Sequence, residues 1–261
     1  MNERRVAIVT GAAGGVGAAS ALMLAQRGYD LVLNFNRGAE RMQASLAACR
    51  AAGADALALQ GDIADDTVCR GLAREAVQHW GRIDAVVNAA GATRFVPIAD
   101  LEGVSAEDFQ HIIGINTIAP FQVARAAAPH LRDGSAIVNV SSNSTLSGNS
   151  SSFPYLVSKG ALNTLTLGLA RALAPRVRVN AVLPGLIEGR WMRDGLGDEE
   201  AYQRVKNGYA AGSLLECVST SEEIASAIGW LLDPACQMTG QLMVVDAGFI
   251  LGKPPAATGA K

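Results

Sequence analysis

The sequence predicts a single α/β domain with a doubly wound sheet of about seven mainly parallel strands and helices on both faces. Short apolar runs rich in β-branched residues alternate along the chain with longer stretches of helical character. Most of these runs lack the polar alternation of a half-exposed strand, which is typical of parallel strands covered on both faces. Of the 261 residues, 49% are hydrophobic and 18% are charged, so the composition excludes an intrinsically disordered chain.

Seven apolar runs are the predicted strands, at residues 6–10, 31–35, 56–61, 85–88, 136–141, 177–183 and 242–246. The helical stretches between them cover residues 15–27, 40–52, 65–80, 106–132 and 155–173. A further helix is predicted over residues 222–232, because Ser219 stands three residues before Glu222 with the spacing of a capping box. Since strands and helices alternate, we expect βαβ units joined by helical crossovers.

The chain contains no linker rich in Pro, Gly or Ser, so residues 1–252 are predicted to form one domain, followed by a loose tail at 253–261. Residues 6–26 carry no charge and follow Arg4 and Arg5, a pattern compatible with a membrane span or a signal peptide. Four glycines interrupt this stretch, at positions 11, 14, 15 and 17. We therefore interpret it as a buried strand, a tight turn and a buried helix.

Charge and side-chain inventory exclude several other classes of protein. The net charge is −2 and no long basic run is present, which argues against binding to nucleic acid. The four cysteines form no C-x-x-C pair and are interpreted as reduced thiols of a cytoplasmic protein: Cys49, Cys69, Cys217 and Cys236. The three histidines lack the spacing of metal ligands, so we expect no metal site: His79, His111 and His130.

A glycine-rich turn follows the first strand and leads into the first helix, with Thr10, Gly11, Gly15 and Gly17 in the order T-G-x-x-x-G-x-G. Glycines let the backbone approach a ligand closely, and the free N–H groups of the new helix suit a pyrophosphate. The alternative is a plain packing turn. Because there is no G-K-[ST] sequence, a P-loop nucleotide hydrolase is not supported.

The end of the second strand bears on the choice of cofactor. Asn36 and Arg37 stand there, and the first carboxylate is Glu40. An acidic residue at this position would bind a ribose 2′-hydroxyl, whereas a cation tolerates a 2′-phosphate. The sequence therefore favours NADP(H) over NAD(H); the alternative is that Arg37 is a solvated loop charge.

Further motifs follow in a fixed order: Asp62-Ile63, Asn88-Ala89-Ala90-Gly91, Asn116, Ser142, Tyr155-x-x-x-Lys159 and Pro184-Gly185. With these motifs and the glycine turn, the chain resembles the short-chain dehydrogenase/reductase family over about residues 4–250. It is similar to bacterial ketone reductases, including the 3-oxoacyl-carrier-protein reductase branch. The resemblance implies a Rossmann-type fold and a homodimer or homotetramer.

The residues themselves indicate proton-transfer chemistry. Tyr155 and Lys159 are four residues apart and share one face of a helix. A free tyrosine has a pKa near 10, and a neighbouring ammonium group is expected to lower that pKa. The hydroxyl of Ser142, thirteen residues before Tyr155, is expected to hydrogen-bond a developing alkoxide. Alternatively, Tyr155 and Lys159 are an ordinary pair on an amphipathic helix.

The resemblance implies a role for each of these residues. Tyr155 would exchange a proton with the carbonyl oxygen, Lys159 would hold the nicotinamide ribose, and Ser142 would orient the carbonyl. Asn116 would hold a water in a proton relay. Asp62 and Ile63 would contact the adenine, Asn88 would brace the sheet, and Gly91 would admit the ribose. The full set of candidate cofactor contacts is Thr10, Gly11, Gly15, Val16, Gly17, Asn36, Arg37, Asp62, Ile63, Asn88, Ala90, Gly91, Tyr155, Lys159, Pro184, Gly185 and Ile187.

Two positions depart from the family pattern. Ala89 stands where the family often has a second asparagine. Gly189 stands where a threonine often contacts the nicotinamide carboxamide, which would leave that contact to backbone groups such as those of Ile187. Glu188 is interpreted as a surface charge.

Residues 185–215 are the predicted substrate loop, because they follow a strand at the carboxyl end of the sheet. The candidate substrate contacts are Ser144, Phe153 and Trp191, although Ser144 could also be a solvated loop serine. A pocket lined by these aromatics with Phe95 and Tyr209 would suit a mainly apolar carbonyl compound; alternatively, the aromatics cover the core. Arg94 is interpreted as part of an exposed ion pair.

These features predict an oxidoreductase that transfers a hydride between NADP(H) and a carbonyl/alcohol substrate. We expect the reaction to be the reduction of a ketone. An NAD-dependent alcohol dehydrogenase is the alternative enzyme. A non-catalytic dinucleotide sensor is the alternative of another class. A methyltransferase is disfavoured because it has no use for Tyr155 and Lys159.

Overall fold

Seven parallel strands form one sheet in the computed structural model, which describes residues 4–253. The strands are β1 (Arg5–Thr10), β2 (Tyr29–Phe35), β3 (Ala56–Gln60), β4 (Ile83–Asn88), β5 (Leu131–Val140), β6 (Val177–Pro184) and β7 (Leu242–Val245). Their order across the sheet is β3-β2-β1-β4-β5-β6-β7, and every neighbouring pair is parallel. The predicted Rossmann-type α/β fold is therefore confirmed.

Ten α-helices connect and flank the strands within residues 4–253. They are α1 (Gly15–Gln26), α2 (Ala39–Ala51), α3 (Asp66–Trp80), α4 (Ala106–Ile113), α5 (Ala119–Ala127), α6 (Ser144–Ser147), α7 (Phe153–Leu173), α8 (Arg190–Leu196), α9 (Glu199–Gly212) and α10 (Ser221–Leu232).

Two hydrophobic clusters, one on each face of the sheet, explain the uninterrupted apolar runs of the strands. One cluster joins the sheet to α1, α2 and α10, and the other joins it to α3, α5 and α7. Along β1, Ala7 and Val9 belong to the first cluster, whereas Val6 and Ile8 belong to the second. The larger of these side chains, such as Val9 and Ile8, each contribute about 1.5–3 kcal/mol by leaving water, so both faces stabilise the fold.

The strand order reverses between β1 and β4, which creates a crevice at the carboxyl ends of these two strands. The hydroxyl oxygen of Thr10, the last residue of β1, accepts hydrogen bonds from the N–H groups of Ala89 and Ala90, both at 3.1 Å. The two segments that follow β1 and β4 are thereby held side by side at the crevice.

The prediction of one continuous helix over residues 106–132 is wrong. The chain forms α4, then a π-helical turn at Gly114–Ile118, then α5 and a short 3₁₀ helix at Ala128–His130. Pro120 lies in the first turn of α5 and has no N–H to donate to the carbonyl oxygen of Asn116, four residues earlier. The proline therefore interrupts regular hydrogen bonding where the π-helical turn meets α5.

Two helices within the predicted substrate loop, α8 and α9, were not expected. The sequence did not predict them, because glycines at 195, 197, 208 and 212 are typical of a loop and disfavour a helix. Asp198 caps α9 by accepting hydrogen bonds from the N–H groups of Glu200 (3.2 Å) and Ala201 (3.0 Å). An aspartate followed by two glutamates is the sequence signal that would have revealed this helix.

The ends of the described chain bear on two expectations. Lys253 forms an ion pair with Glu216 at 2.8 Å, and the rest of the predicted tail, residues 254–261, lies outside the described residues. Among residues 4–253, none of the helices combines the length and hydropathy needed to span a bilayer.

All four cysteines are free; Cys49, Cys69 and Cys236 are buried and Cys217 is exposed.

The cap of α10 differs from the prediction by one residue. The side chain of Thr220 accepts the N–H of Glu223 at 3.2 Å, and the Glu223 carboxylate accepts the N–H of Thr220 at 2.8 Å. Ser219 instead forms a parallel bridge with Ile187 through its backbone. The capping-box pattern was correct, but it fits two adjacent positions of the sequence equally well.

Thr220→Ala is expected to lower the free energy of unfolding by about 1 kcal/mol, because the N–H of Glu223 loses its acceptor. Ser219→Ala is the matched control and is expected to change it by less than about 0.5 kcal/mol, since the Ser219 bonds come from its backbone. Urea titrations followed by circular dichroism measure both. A larger loss in the Ser219 variant would contradict the observed cap.

Candidate active site

The start of α7 sets the position of Tyr155. Ser152 precedes the helix, and its hydroxyl oxygen accepts the N–H of Tyr155 at 3.4 Å. Pro154 lies in the first turn, where its missing N–H costs nothing. Tyr155 is therefore in the first turn of α7, and Lys159 lies one turn later on the same face. The Lys159 Nζ is 5.6 Å from the centre of the Tyr155 ring.

Ser142 reaches the same point from the sheet, since it follows the last residue of β5 by two positions. Its hydroxyl lies close enough to the Tyr155 hydroxyl to lower the pKa of that phenol by hydrogen bonding. The structure thus brings together the hydroxyl, the phenol and the ammonium group that the sequence grouped by spacing alone. All three lie at the carboxyl edge of the sheet.

Burial dominates the acid–base properties of this group. It raises the pKa of Tyr155 to about 12, against the opposing effect of the Ser142 hydrogen bond. Burial also lowers the pKa of Lys159 to about 8. The lowering of the Tyr155 pKa expected from Lys159 is not found. Desolvation raises that pKa and Ser142 opposes it, whereas the Lys159 ammonium group donates to the Val140 carbonyl at 2.8 Å. Tyr155 is consequently held as a neutral phenol.

Asn116 lies in the π-helical turn and joins β4 to α7. Its Nδ2 donates to the Ala92 carbonyl and to the Ser158 hydroxyl, both at 2.9 Å, and its Oδ1 accepts the Ala92 N–H at 2.8 Å. Both amide protons are therefore used within the protein. The backbone carbonyl oxygen of Asn116 lacks an α-helical donor, because Pro120 stands four residues later.

The glycine turn has one tightly packed side and one open side. Gly11 has φ +70°, and a Cβ there would lie 2.8 Å from the Ala90 Cα; a Cβ at Gly17 would collide with the Gly11 carbonyl. In contrast, a Cβ at Gly14 would have no atom within 4 Å, and α1 has no side-chain cap. The start of α1 therefore presents uncapped N–H groups to open space, which fits a pyrophosphate group. Val16, one residue further, packs its side chain against the core.

Two arginines lie at the turn between β2 and α2. Asn36 and Arg37 are exposed at the end of β2, as the sequence suggested. Gly38 has φ +84°, and the Arg41 guanidinium packs over it so closely that a Cβ at Gly38 would collide with it. Sequence reasoning missed Arg41, which its position four residues after Arg37 could have indicated.

The Asp62-Ile63 pair at the end of β3 is divided between surface and core. Asp62 is exposed, and its carboxylate accepts the Ala64 N–H at 3.0 Å. Ile63 is only 5% exposed and packs with the cluster on the α3 face of the sheet. The Asp62 carboxylate is thus the accessible group of the two.

Asn88 and Gly91 have distinct surroundings at the end of β4. The Nδ2 of Asn88 donates to Asn139 on β5 at 2.9 Å, and Asn139 donates in turn to Thr166 on α7 at 2.9 Å. A Cβ at Gly91 would lie 3.4 Å from the Asn116 Oδ1, 3.5 Å from the Trp191 ring and 3.8 Å from the Lys159 Nζ. Gly91 therefore opens onto the space beside Lys159.

The segment after β6 borders this space from the other side. The Pro184 carbonyl accepts the Asn143 N–H at 2.9 Å. In the bridge to Ser219, the bonds come from the Leu186 carbonyl and the Glu188 N–H, so the N–H and C=O of Ile187 point to the opposite side. Gly189 has φ +154°, a conformation that a threonine would adopt only with strain.

The predicted substrate residues differ in whether they border the space beside Gly91. Ser144 is 4% exposed, so the alternative of a solvated loop serine is wrong, and its hydroxyl has no partner within residues 4–253. Phe153 opens α7, and the Trp191 ring reaches the space beside Gly91. Tyr209 does not line that space through its ring, which stacks on Phe249 at 3.9 Å.

Two of the charged residues near the site form ion pairs. Arg94 forms an ion pair with Asp108, and Glu188 forms one with Lys206 at 2.6 Å, so both are surface charges as expected. Across residues 4–253, no group of three His, Cys, Asp or Glu side chains is arranged to hold a metal ion.

Comparison with known proteins covers almost the whole chain. The family model described as "Enoyl-(Acyl carrier protein) reductase" matches residues 11–250. The chain is 38% identical to "Granaticin polyketide synthase putative ketoacyl reductase 2" of Streptomyces violaceoruber, over 94% of this chain and 96% of the relative.

Two solved structures have the same fold. A short-chain dehydrogenase/reductase of Brucella melitensis, titled glucose/ribitol dehydrogenase, superposes with a TM-score of 0.85 at 30% identity over 95% of this chain and 97% of its own. A blue fluorescent protein from a metagenomic library, solved in complex with NADPH, superposes with a TM-score of 0.83 at 31% identity over 94% and 97%. The chain therefore belongs to the short-chain dehydrogenase/reductase family of nicotinamide-dependent oxidoreductases.

Proposed function

We propose that this oxidoreductase reduces a ketone to an alcohol with NADPH and that Tyr155 donates the proton. The observation that carries this proposal is the meeting of the Ser142 hydroxyl, the half-buried neutral phenol of Tyr155 and the Lys159 side chain at the carboxyl edge of the sheet. Two hydroxyl donors meeting at one point suit the oxygen of a carbonyl group, on which negative charge develops during reduction.

The acid–base properties of the site indicate which group supplies the proton. The bound nicotinamide supplies the hydride that adds to the carbonyl carbon. Tyr155 gives its proton to the carbonyl oxygen, while Ser142 donates a hydrogen bond to the same oxygen. Lys159, whose pKa burial lowers to about 8, is suited to return a proton towards Tyr155, and a water on the Asn116 carbonyl would connect it to solvent. Reduction draws on the protonated phenol, and the raised pKa of Tyr155 maintains that form.

The residues that would hold the cofactor line the crevice between β1 and β4. The N–H groups at the start of α1 would bind the pyrophosphate, and Asp62 would bind the adenine amine. Lys159 and Tyr155 would hold the nicotinamide ribose, which Gly91 admits without a side chain in the way. The backbone N–H and C=O of Ile187 would bind the carboxamide.

NADPH is favoured over NADH by the two arginines that follow β2. Arg37 is exposed there, and Arg41 packs over Gly38 from the next turn of the chain. Within residues 29–51 of this β2–α2 unit the only carboxylates are Asp30, which pairs with Arg4 at the opposite end of the strand, and Glu40. Two cations close together suit a 2′-phosphate, which a carboxylate would repel.

The substrate is proposed to be a mainly apolar ketone bound by residues 185–215. Trp191 and Phe153 supply apolar surface, and the unpartnered hydroxyl of Ser144 supplies a polar contact. The similarity to a named ketoacyl reductase supports a β-keto compound.

Oligomer and compartment are proposed from the surface and the thiols. The helices α5 and α7 and the turn before α5 expose large apolar side chains: Ile118, Phe121, Val157 and Leu167. Such a surface suits contact with a second copy of the chain, so we propose a homodimer or homotetramer. Four free thiols suit a reducing compartment such as the cytoplasm.

Tyr155→Phe is expected to lower the kcat for ketone reduction by about 10²–10⁴-fold, because the carbonyl oxygen loses its proton donor. The Kd for NADPH, measured by nucleotide fluorescence, is expected to stay within about threefold, since the phenol supplies only one of many cofactor contacts. A variant with kcat close to that of the wild type would refute the assignment of Tyr155 as the acid.

Arg37→Asp is expected to lower kcat/KM with NADPH by about 10–100-fold, while kcat/KM with NADH is kept or raised. Arg41→Gln is expected to lower the NADPH value by about tenfold. Arg50→Gln is the matched control, because Arg50 is on the same helix but donates to the Ala56 carbonyl at 2.8 Å. If the NADPH/NADH ratio is the same in all four enzymes, the proposed phosphate site is wrong.

A further inference from the structure

Asn143, the neighbour of Ser142 in the chain, lies at the centre of a buried hydrogen-bond network. It is 7% exposed. Its Nδ2 donates to the Tyr209 hydroxyl at 3.0 Å and to the Asp246 carboxylate at 3.1 Å. The residue after the reactive serine is thus bonded to two segments that are 66 and 103 positions away in the chain.

Tyr209 is held in place from both ends of its side chain. The Asn143 amide donates to its hydroxyl oxygen at 3.0 Å, and the Leu186 backbone lies close enough to lower the pKa of the phenol. Its ring stacks on Phe249 with the planes 8° apart. The hydroxyl also fills the space in which a Cβ at residue 185 would stand, so Gly185 is required for this contact. Gly185 thereby has a structural role in addition to the cofactor contact that the sequence suggested.

Asp246 is equally fixed, at the end of β7. One oxygen of its carboxylate accepts the Gly248 N–H at 2.9 Å, and the other accepts the Ile250 N–H at 3.1 Å. The carboxylate therefore keeps its position for Asn143 even when Tyr209 changes. Tyr209 thus links α9 to the serine segment through a bond that does not depend on the Asp246 carboxylate.

The other side of the serine segment is attached to α7. The Ser141 hydroxyl donates to the Asn163 Oδ1 at 2.7 Å, and the Asn163 Nδ2 donates to the Thr145 hydroxyl at 3.0 Å. Thr145 donates in turn to the carbonyl of Ser142 at 2.9 Å. Residues 141–145 therefore lie between two supports, one from the helix that carries Tyr155 and one from α9.

We propose that Tyr209 is a positioning residue, which acts through Asn143 to fix the Ser142 hydroxyl and couples the docking of α9 to that hydroxyl. This inference rests on the proposed function, because it concerns the group that binds the ketone oxygen. Tyr209 itself does not contact the reacting atoms. It holds the serine segment from the side opposite α7, so the Ser142 hydroxyl stays aligned with both Tyr155 and the substrate.

Tyr209→Phe removes only the hydroxyl and keeps the ring that stacks on Phe249. We expect kcat for ketone reduction to fall roughly tenfold, because a small displacement of a catalytic hydroxyl is costly to the rate. The Kd for NADPH is expected to stay within about twofold, since Tyr209 lies outside the proposed cofactor contacts.

Tyr202→Phe is the matched control. Tyr202 lies on the same helix, is 1% exposed, and has a hydroxyl without a partner within the described residues. Its loss is expected to leave kcat within about twofold of the wild type. An equal fall in both variants would mean that any change within α9 lowers activity, which would overturn the proposal.

A double-mutant cycle with Ser142→Ala separates positioning from a general structural effect. Ser142→Ala is expected to lower kcat by about 10²–10³-fold, which single-turnover measurements with excess enzyme still resolve. If Tyr209 acts through Ser142, Tyr209→Phe lowers the rate of the Ser142→Ala enzyme by less than about twofold. A tenfold fall in both backgrounds, or no fall in the wild-type background, overturns the proposal.

The pH profile of alcohol oxidation is a second, independent measurement. Oxidation needs the Tyr155 phenolate, and the Ser142 hydrogen bond lowers the pKa of Tyr155. A loosened Ser142 therefore raises that pKa, so less phenolate is present at any pH below it and alcohol oxidation slows across the profile, in Tyr209→Phe as in Ser142→Ala. A profile unchanged from that of Tyr202→Phe overturns the proposal. If the wild-type enzyme turned over no ketone or alcohol, the proposed function itself would fail, whatever the Tyr209 variant does.

Discussion

The rotation of α7 about its own axis is the constraint on which the chemistry of this protein depends. Buried polar bonds fix it: Lys159 donates to the Val140 carbonyl, Ser141 to Asn163, and Asn139 to Thr166. Each of these groups would be left unpaired in the core if the helix turned, at a cost of about 1–3 kcal/mol each. The face that carries the phenol and the ammonium group is therefore held towards the end of β5, where Ser142 stands.

The same burial that fixes this geometry sets the proton chemistry. Lys159 is buried and Tyr155 is half-buried, so desolvation favours the uncharged form of each, and their pKa values move in opposite directions. Tyr155 keeps its proton more firmly, and Lys159 releases its proton more readily. A buried site thus prepares a neutral acid next to a group able to replenish it, which a solvent-exposed pair of the same residues would not do.

The sequence predicted what depends on local pattern and missed what depends on distant partners. The strands, the glycine turn and the spacing of Tyr155 and Lys159 are local, and the structure has each of them at or near its expected position. Trp191 and Ser144 were proposed as substrate contacts, and this remains a prediction. The bond between Asn143 and Tyr209 joins residues that share no periodicity, so no pattern indicated it. The sequence did not predict the π-helical turn. The apolar pattern of residues 106–132 is that of one long helix, and it conceals the break before Pro120.

The close contact between Gly185 and the Tyr209 hydroxyl has a consequence for how this protein changes over evolutionary time. A side chain at position 185 and a tyrosine at position 209 exclude each other sterically. A lineage that gains a larger residue at the first position must first, or simultaneously, lose the phenol at the second. The two sites are therefore expected to covary among relatives, although 23 residues lie between them in the sequence.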